Sequence, residues 1–253
     1  MVKKSYEKKT KIKIRRKSPG GAKDKLVIIS DIHANREALE AVLNDIKQRT
    51  DVKEILCAGD VVGYGPDPAA CCELVRKLKI PVVQGNHDAN IDLSNLGWFN
   101  WMAQQALVWT SQNVGQENRE WLMNLPKKFE KKILGKKVAM VHGSPRDPVY
   151  EYVTHDTPND VLRHFLNMTK ADVLIMGHTH IPFVVKIGKR LILNPGAVGQ
   201  PRDGDPDACY AVVDMKNLKA EIVRVEYNIQ ACAEKIYRTN IPNYLADRLF
   251  DGV

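Results

Sequence analysis

The sequence predicts an α/β fold in which two mixed β-sheets face each other and carry helices on their outer sides. Three observations predict it. Apolar runs of buried-strand length recur along the 253 residues. In the first half they alternate with amphipathic helical stretches; in the second half they pair through hairpin-like turns. Five of the runs end in a polar cluster of Asp, Asn or His. Such clusters fall at the carboxyl ends of strands, where open α/β sheets bind ligands.

The body is expected to start at Lys25, after a basic extension over residues 1–24, and to run as one domain over 25–253. Leu26-Val27-Ile28-Ile29 reads as the first strand and delivers Asp31 and His33. Ala38, Leu39, Val42, Leu43 and Ile46 then share one helix face. A second strand over residues 53–58 delivers Asp60, and Pro66 and Pro68 open the next helix. Residues 81–84 read as a third strand that ends in Gly85-Asn86-His87-Asp88. Residues 98–125 read as helical and hold all four tryptophans. Their spacing favours packing on the body, or between copies of the chain in a homo-oligomer, over an aromatic ligand platform.

Residues 129–134 and 137–142 are expected to pair through Gly135-Lys136, bringing His142 to a strand end. Thr157 is expected to cap a helix that Pro158 opens. Val173-Leu174-Ile175-Met176 leads into Gly177-His178-Thr179-His180. Two more hairpins follow, over 181–193 and 208–227, and residues 228–253 read as a C-terminal helical segment.

Charge is unevenly placed. Residues 1–25 hold eleven Lys or Arg against Glu7 and Asp24, while the rest holds 27 basic and 28 acidic residues. The basic character therefore belongs to the extension. A solvated tail is the simpler reading, and a nucleic-acid contact through phosphates is the alternative. No stretch approaches the roughly 20 apolar residues that span a bilayer, and the N-terminus lacks the apolar core of a secretory signal. Five cysteines without CxxC spacing point to reduced thiols and a cytoplasmic setting.

Five of the seven histidines lie in the polar clusters; His155 and His164 lie outside. Asp31-x-His33, Gly59-Asp60, Gly85-Asn86-His87-Asp88, His142-Gly143 and Gly177-His178-Thr179-His180 resemble the motif set of the calcineurin-like metallophosphoesterases. That resemblance implies a four-layer αββα sandwich and a two-metal site. It implies that Asp31, His33 and His180 hold one ion, that Asn86, His142 and His178 hold the other, and that Asp60 bridges them. His87 stands beside them without ligating, with Asp88 as its expected orienting partner. Mixed N/O ligation suits manganese first, with iron, zinc, nickel or cobalt as alternatives, whereas calcium prefers oxygen alone.

The expected chemistry is in-line attack on a phosphodiester or small organic phosphate by a metal-bridging hydroxide, with His87 assisting the leaving group. Val61-Val62-Gly63-Tyr64-Gly65 after Asp60 departs from the Asp-Arg-Gly of the protein serine/threonine phosphatases. Asp31-Ile32-His33-Ala34-Asn35 and Asn194-Pro195-Gly196-Ala197-Val198-Gly199-Gln200-Pro201-Arg202 look instead like the compact prokaryotic phosphodiesterase branch. Asn35, Tyr64 and Arg202 are the candidate substrate contacts, with backbone amides of 194–202 as possible phosphate donors. For Asn35 a plain helix N-cap stands beside the substrate role. Two rival readings remain open. One is a non-catalytic protein-binding scaffold of the same fold; the other is a nuclease or dinucleoside-polyphosphate hydrolase.

Overall fold

The computed structural model describes residues 23–253; the basic extension, but for its last two residues, lies outside the described residues. Strands β1 (Lys25–Ile29), β2 (Val52–Cys57), β8 (Ala208–Asp214) and β9 (Lys219–Val225) form a sheet ordered β2-β1-β8-β9. Strands β3 (Phe129–Ile133), β4 (Lys136–Met140), β5 (Val173–Ile175), β6 (Phe183–Ile187) and β7 (Arg190–Asn194) form a second, ordered β3-β4-β5-β7-β6. The alternation of strand and helix at the start of the chain gives parallel pairing, and β1 pairs parallel with β2.

The period of two along β1 builds the layers. Leu26 and Ile28 point into a core shared with Met140 of β4, Val173 and Ile175 of β5, and Leu191 and Leu193 of β7. Val27 and Ile29 face the other way, onto Ala38, Leu39 and Val42 of α1 (Arg36–Lys47) and Cys71, Cys72 and Val75 of α2 (Pro68–Lys77). On the far side, Ala139, Leu174 and Ile192 pack against Leu162, Phe165 and Leu166 of α6 (Asn159–Thr169). The result is helix, sheet, sheet, helix. This is the αββα sandwich that the sequence predicts.

Three local expectations need correction. Residues 81–84 make only one bridge, Val82 to Cys57, before α3 (Asn86–Ala89) begins. Pro81 brings no N–H to a ladder, and the Gln84 amide donates instead to Pro126. The tryptophan region is broken into a 3-10 turn (Leu96–Trp98), α4 (Trp101–Asn113) and α5 (Gln116–Met123), with Gly115 at φ 80° between the last two. Trp109 and Trp121 are half-buried in helix packing, but Trp101 is 65% exposed. Third, the N-cap of α6 is Pro158; the Thr157 hydroxyl accepts from the Thr154 amide.

The C-terminal segment forms α7 (Ile229–Tyr237) and α8 (Tyr244–Asp247). Ile236 of α7, Leu245 of α8 and Leu249 just beyond it enter a core with Tyr64, Phe99 and Leu107, so this segment braces the loop after Asp60 and the start of α4. Lys235 of α7 bonds both Glu37 and Asp67. All five cysteines are free and buried. Among the described residues no helix is long and apolar enough to cross a membrane.

Candidate metal centre

The five polar clusters meet at one end of the two sheets. Every predicted ligand is buried there: Asp31, His33, Asp60, Asn86, His142, His178 and His180 are each less than 5% exposed. Two backbone features let them approach. Asp31, His33, Asp60, His178 and His180 all have left-handed φ, between 48° and 71°, a conformation that costs a residue with a Cβ about 1–2 kcal/mol. Gly85 lets the chain pass where a Cβ would lie 2.0 Å from Asp60 Oδ1.

Each carboxylate is held by one oxygen and presents the other. Asp60 Oδ1 accepts from the His87 amide at 2.8 Å, leaving Oδ2 3.7 Å from His33 Nε2 and 3.3 Å from His142 Nε2. Asp31 Oδ2 accepts from the His178 amide. Its Oδ1 accepts no hydrogen bond and lies 3.3 Å from His180 Nε2.

The imidazoles are held in the same way. Backbone carbonyls take the outer ring nitrogens: Val62 for His33, Ala58 for His142, Gln200 for His180 and Tyr150 for His178. A carbonyl only accepts, so each outer nitrogen carries the proton and each inner one presents a lone pair. These lone pairs face each other. His33 Nε2 and His180 Nε2 are 3.0 Å apart, and His142 Nε2 is 3.2 Å from His178 Nδ1 and 3.0 Å from Asn86 Oδ1.

Electron-rich atoms crowded without intervening protons call for a cation. The donor set fits divalent ions. Ligand atoms of Asp31, His33 and His180 lie within 4.8 Å of one another, as do those of Asp60, His142 and His178. The electrostatics agree. Burial lowers the His142 pKa, but Asp60 and Asp31 outweigh it and raise it to about 9, the mark of carboxylates that favour positive charge at this spot. Burial and the neighbouring His142 push His178 down to about 3.

His87 also reaches this cluster, with ligand atoms of His33, Asp60 and His87 within 4.8 Å. Its Nδ1 is buried without a partner, against Gly63. Burial pushes its pKa down to about 4, so the ring is neutral at pH 7. Asp88 does not orient it. The Asp88 carboxylate instead accepts from the amides of Val61, Val62 and Gly85, at 2.9, 3.3 and 3.1 Å, and ties the Asp60 loop to the Asn86 loop.

Tyr64 and Arg202 line the cavity of ≈ 290 Å³ above the centre. The Arg202 guanidinium lies 5.5 Å from the Tyr64 ring, and its Nε makes no hydrogen bond. Asn35 is spent on the fold: its Oδ1 caps α1 through the Ala38 amide and its Nδ2 donates to Gly199. Three amides of 194–202 are engaged as well, Gly196 donating to the Asn194 side chain and Val198 and Gly199 to Ser30 and Asp31. That loop braces the first ligand loop and offers these amides to no phosphate.

Sequence reasoning missed the other cavity residues, Phe99, Asn100, Ala103 and Tyr152, and placed Trp98 in packing where it lines the cavity. No periodicity marked them, since they come from separate loops and turns and from the start of α4.

Residues 25–218 match the family model of the calcineurin-like phosphoesterase superfamily domain. The chain is 42% identical over 247 residues to an uncharacterized protein of Methanocaldococcus jannaschii, covering 91% of this chain and 99% of that one. It is 25% identical over 203 residues to the phosphodiesterase YfcE of Escherichia coli, covering 75% and 87%. A solved metallophosphoesterase from Sphaerobacter thermophilus superposes with a TM-score of 0.77 at 36% identity, covering 92% of this chain and all of that one. The chain therefore belongs to the calcineurin-like phosphoesterase superfamily, as a metal-binding hydrolase of phosphate ester bonds.

Proposed function

We propose that the protein is a two-ion phosphodiesterase acting on small phosphodiesters or small organic phosphates. The observation that carries this reading is the pair of lone-pair clusters on either side of Asp60, whose Oδ2 faces both His33 and His142. Asp31, His33 and His180 would hold one ion, Asn86, His142 and His178 the other, with Asp60 between them. When bound, two divalent ions, manganese first among the transition metals, supply an acidified water as nucleophile and screen the phosphoryl charge.

The remaining work falls to the chain. Arg202, which lines the cavity, draws a phosphoryl oxygen into a charge-assisted hydrogen bond through its guanidinium. His87 is neutral at working pH, so it serves as an N–H donor to the departing or equatorial oxygen. Proton transfer from an imidazolium would need a pKa nearer 7 than the about 4 that burial gives it. Five free, buried thiols support the expected cytoplasmic setting.

The test is hydrolysis of bis(p-nitrophenyl) phosphate beside p-nitrophenyl phosphate by chelator-stripped protein given Mn, Ni, Co, Zn or Mg singly. Metal-restored turnover favouring the diester is the expected result. Asp60→Asn is expected to lower it by at least about a hundredfold. Near wild-type turnover of that variant at saturating metal would remove Asp60 from between the ions.

A further inference from the structure

Beside the metal centre, two exposed aromatic rings line the cavity wall. Trp98 and Tyr152 share the ≈ 290 Å³ cavity with Asp60, Asn86, His87 and His178. The rings are nearly parallel, 5° apart in plane with centroids 6.1 Å apart. Tyr150 adds a third ring 4.9 Å from Trp98. Tyr152 lies 3.9 Å from the His178 ring, so the aromatic wall begins at a proposed ligand.

Two separate segments build this wall. Trp98 comes from the 3-10 turn before α4; Tyr150 and Tyr152 come from the loop between β4 and α6. That loop is internally braced, Ser144 and Arg146 both bonding Glu151. The phenol of Tyr150 accepts from Asn90. Yet Trp98 remains 40% exposed and Tyr152 56%. Aromatic surface held rigidly at the rim of a polar centre contributes little to the core and is placed to meet a ligand.

We infer that this wall is a subsite for a planar, aromatic substituent of the phosphoester, a nucleobase in its biological form. The inference rests on the phosphoesterase reading above and names its substrate class. The wall's chemistry selects planarity, since every base presents a π-face to an aromatic ring. The size of the cavity decides the scale. At ≈ 290 Å³ it stands at the lower end of small-molecule sites, about 300–1,000 Å³. It therefore takes a phosphate and one ring system, with no room for a duplex. Arg202 lines the same cavity, so base and phosphate have separate holds.

The test uses full-length, manganese-loaded protein with AMP and ribose 5-phosphate, which share sugar and phosphate and differ in the base. Affinities come from titration calorimetry, and quenching of tryptophan fluorescence reports the contact. Stacking one base contributes roughly 5- to 150-fold in affinity. AMP is therefore expected to bind at least about fivefold more tightly. Trp98→Ala should bring the AMP-to-ribose-5-phosphate ratio below about twofold, with Trp98→Phe recovering part of it while losing the quench. Equal wild-type affinities, or a ratio that survives Trp98→Ala, would overturn the subsite. Bis(p-nitrophenyl) phosphate hydrolysis by the same preparations separates the two failures. Turnover without base preference refutes the subsite alone. Base preference without turnover on any divalent ion refutes the phosphoesterase reading and leaves a nucleotide-binding site.

Discussion

Replacing Asp88 by Asn tests the role that the structure gives this buried carboxylate. Its two oxygens take three backbone N–H groups, from Val61, Val62 and Gly85. An Asn side chain keeps one acceptor oxygen and turns an NH₂ group toward at least one of those amides. If the oxygen stays on Val61 and Val62, the Gly85 amide is left buried and unpaired. Loss of one bond to a charged acceptor is worth about 1.5–3 kcal/mol, and the stranded amide costs about 1–3 kcal/mol. The two overlap, so about 3 kcal/mol is the expected loss. In a chain of this size that lowers Tm by roughly 6–12 °C. The assay is thermal unfolding of chelator-stripped protein at pH 8, above the about 7 to which burial and Asp60 raise Asp88. An unchanged Tm with collapsed turnover would refute the reasoning and return Asp88 to the role of orienting His87.

Three further outcomes are expected. His87→Ala should keep its metal content and lose about 10²–10³-fold in turnover, measured beside elemental analysis; loss of an ion would make His87 a ligand. Asn90→Ala removes the amide that holds the Asn86 carbonyl and the Tyr150 phenol, 2.8 and 3.0 Å away. Because Tyr150 in turn orients His178, affinity for one ion should fall about 10–100-fold in a metal titration, with the other unchanged. Gly63→Ala puts a Cβ 2.3 Å from His87 Nδ1, at a φ of 97°. It should reproduce most of the His87→Ala rate loss while still binding metal, and full turnover would show that the His87 position is not critical.

The convergence of the candidate ligands was legible in the sequence because their spacing follows strand ends. An apolar run of period two stops where the chain leaves the sheet, and the next polar residues lie at its end. Asp31, Asp60, His142 and His178 follow this rule, each just beyond a strand or, for Asp60, beyond Ala58 and Gly59. The aromatic wall was not legible, since Trp98 and Tyr152 meet only through the tertiary fold and carry no shared period. The role of Asp88 was hidden for another reason. Adjacency to His87 suggested a side-chain contact, but successive residues of a helical turn point in different directions, and Asp88 turns toward the Asp60 loop. Asn35 shows the reverse case, a motif residue whose two hydrogen bonds are both structural.

The left-handed backbone at Asp31, His33, Asp60, His178 and His180 has an evolutionary consequence. Glycine would adopt those angles without the Cβ penalty, so selection for stability alone would remove the acids and imidazoles from these positions. If the proposed chemistry is what keeps acids and imidazoles there, a descendant released from it would be free to trade them for glycine.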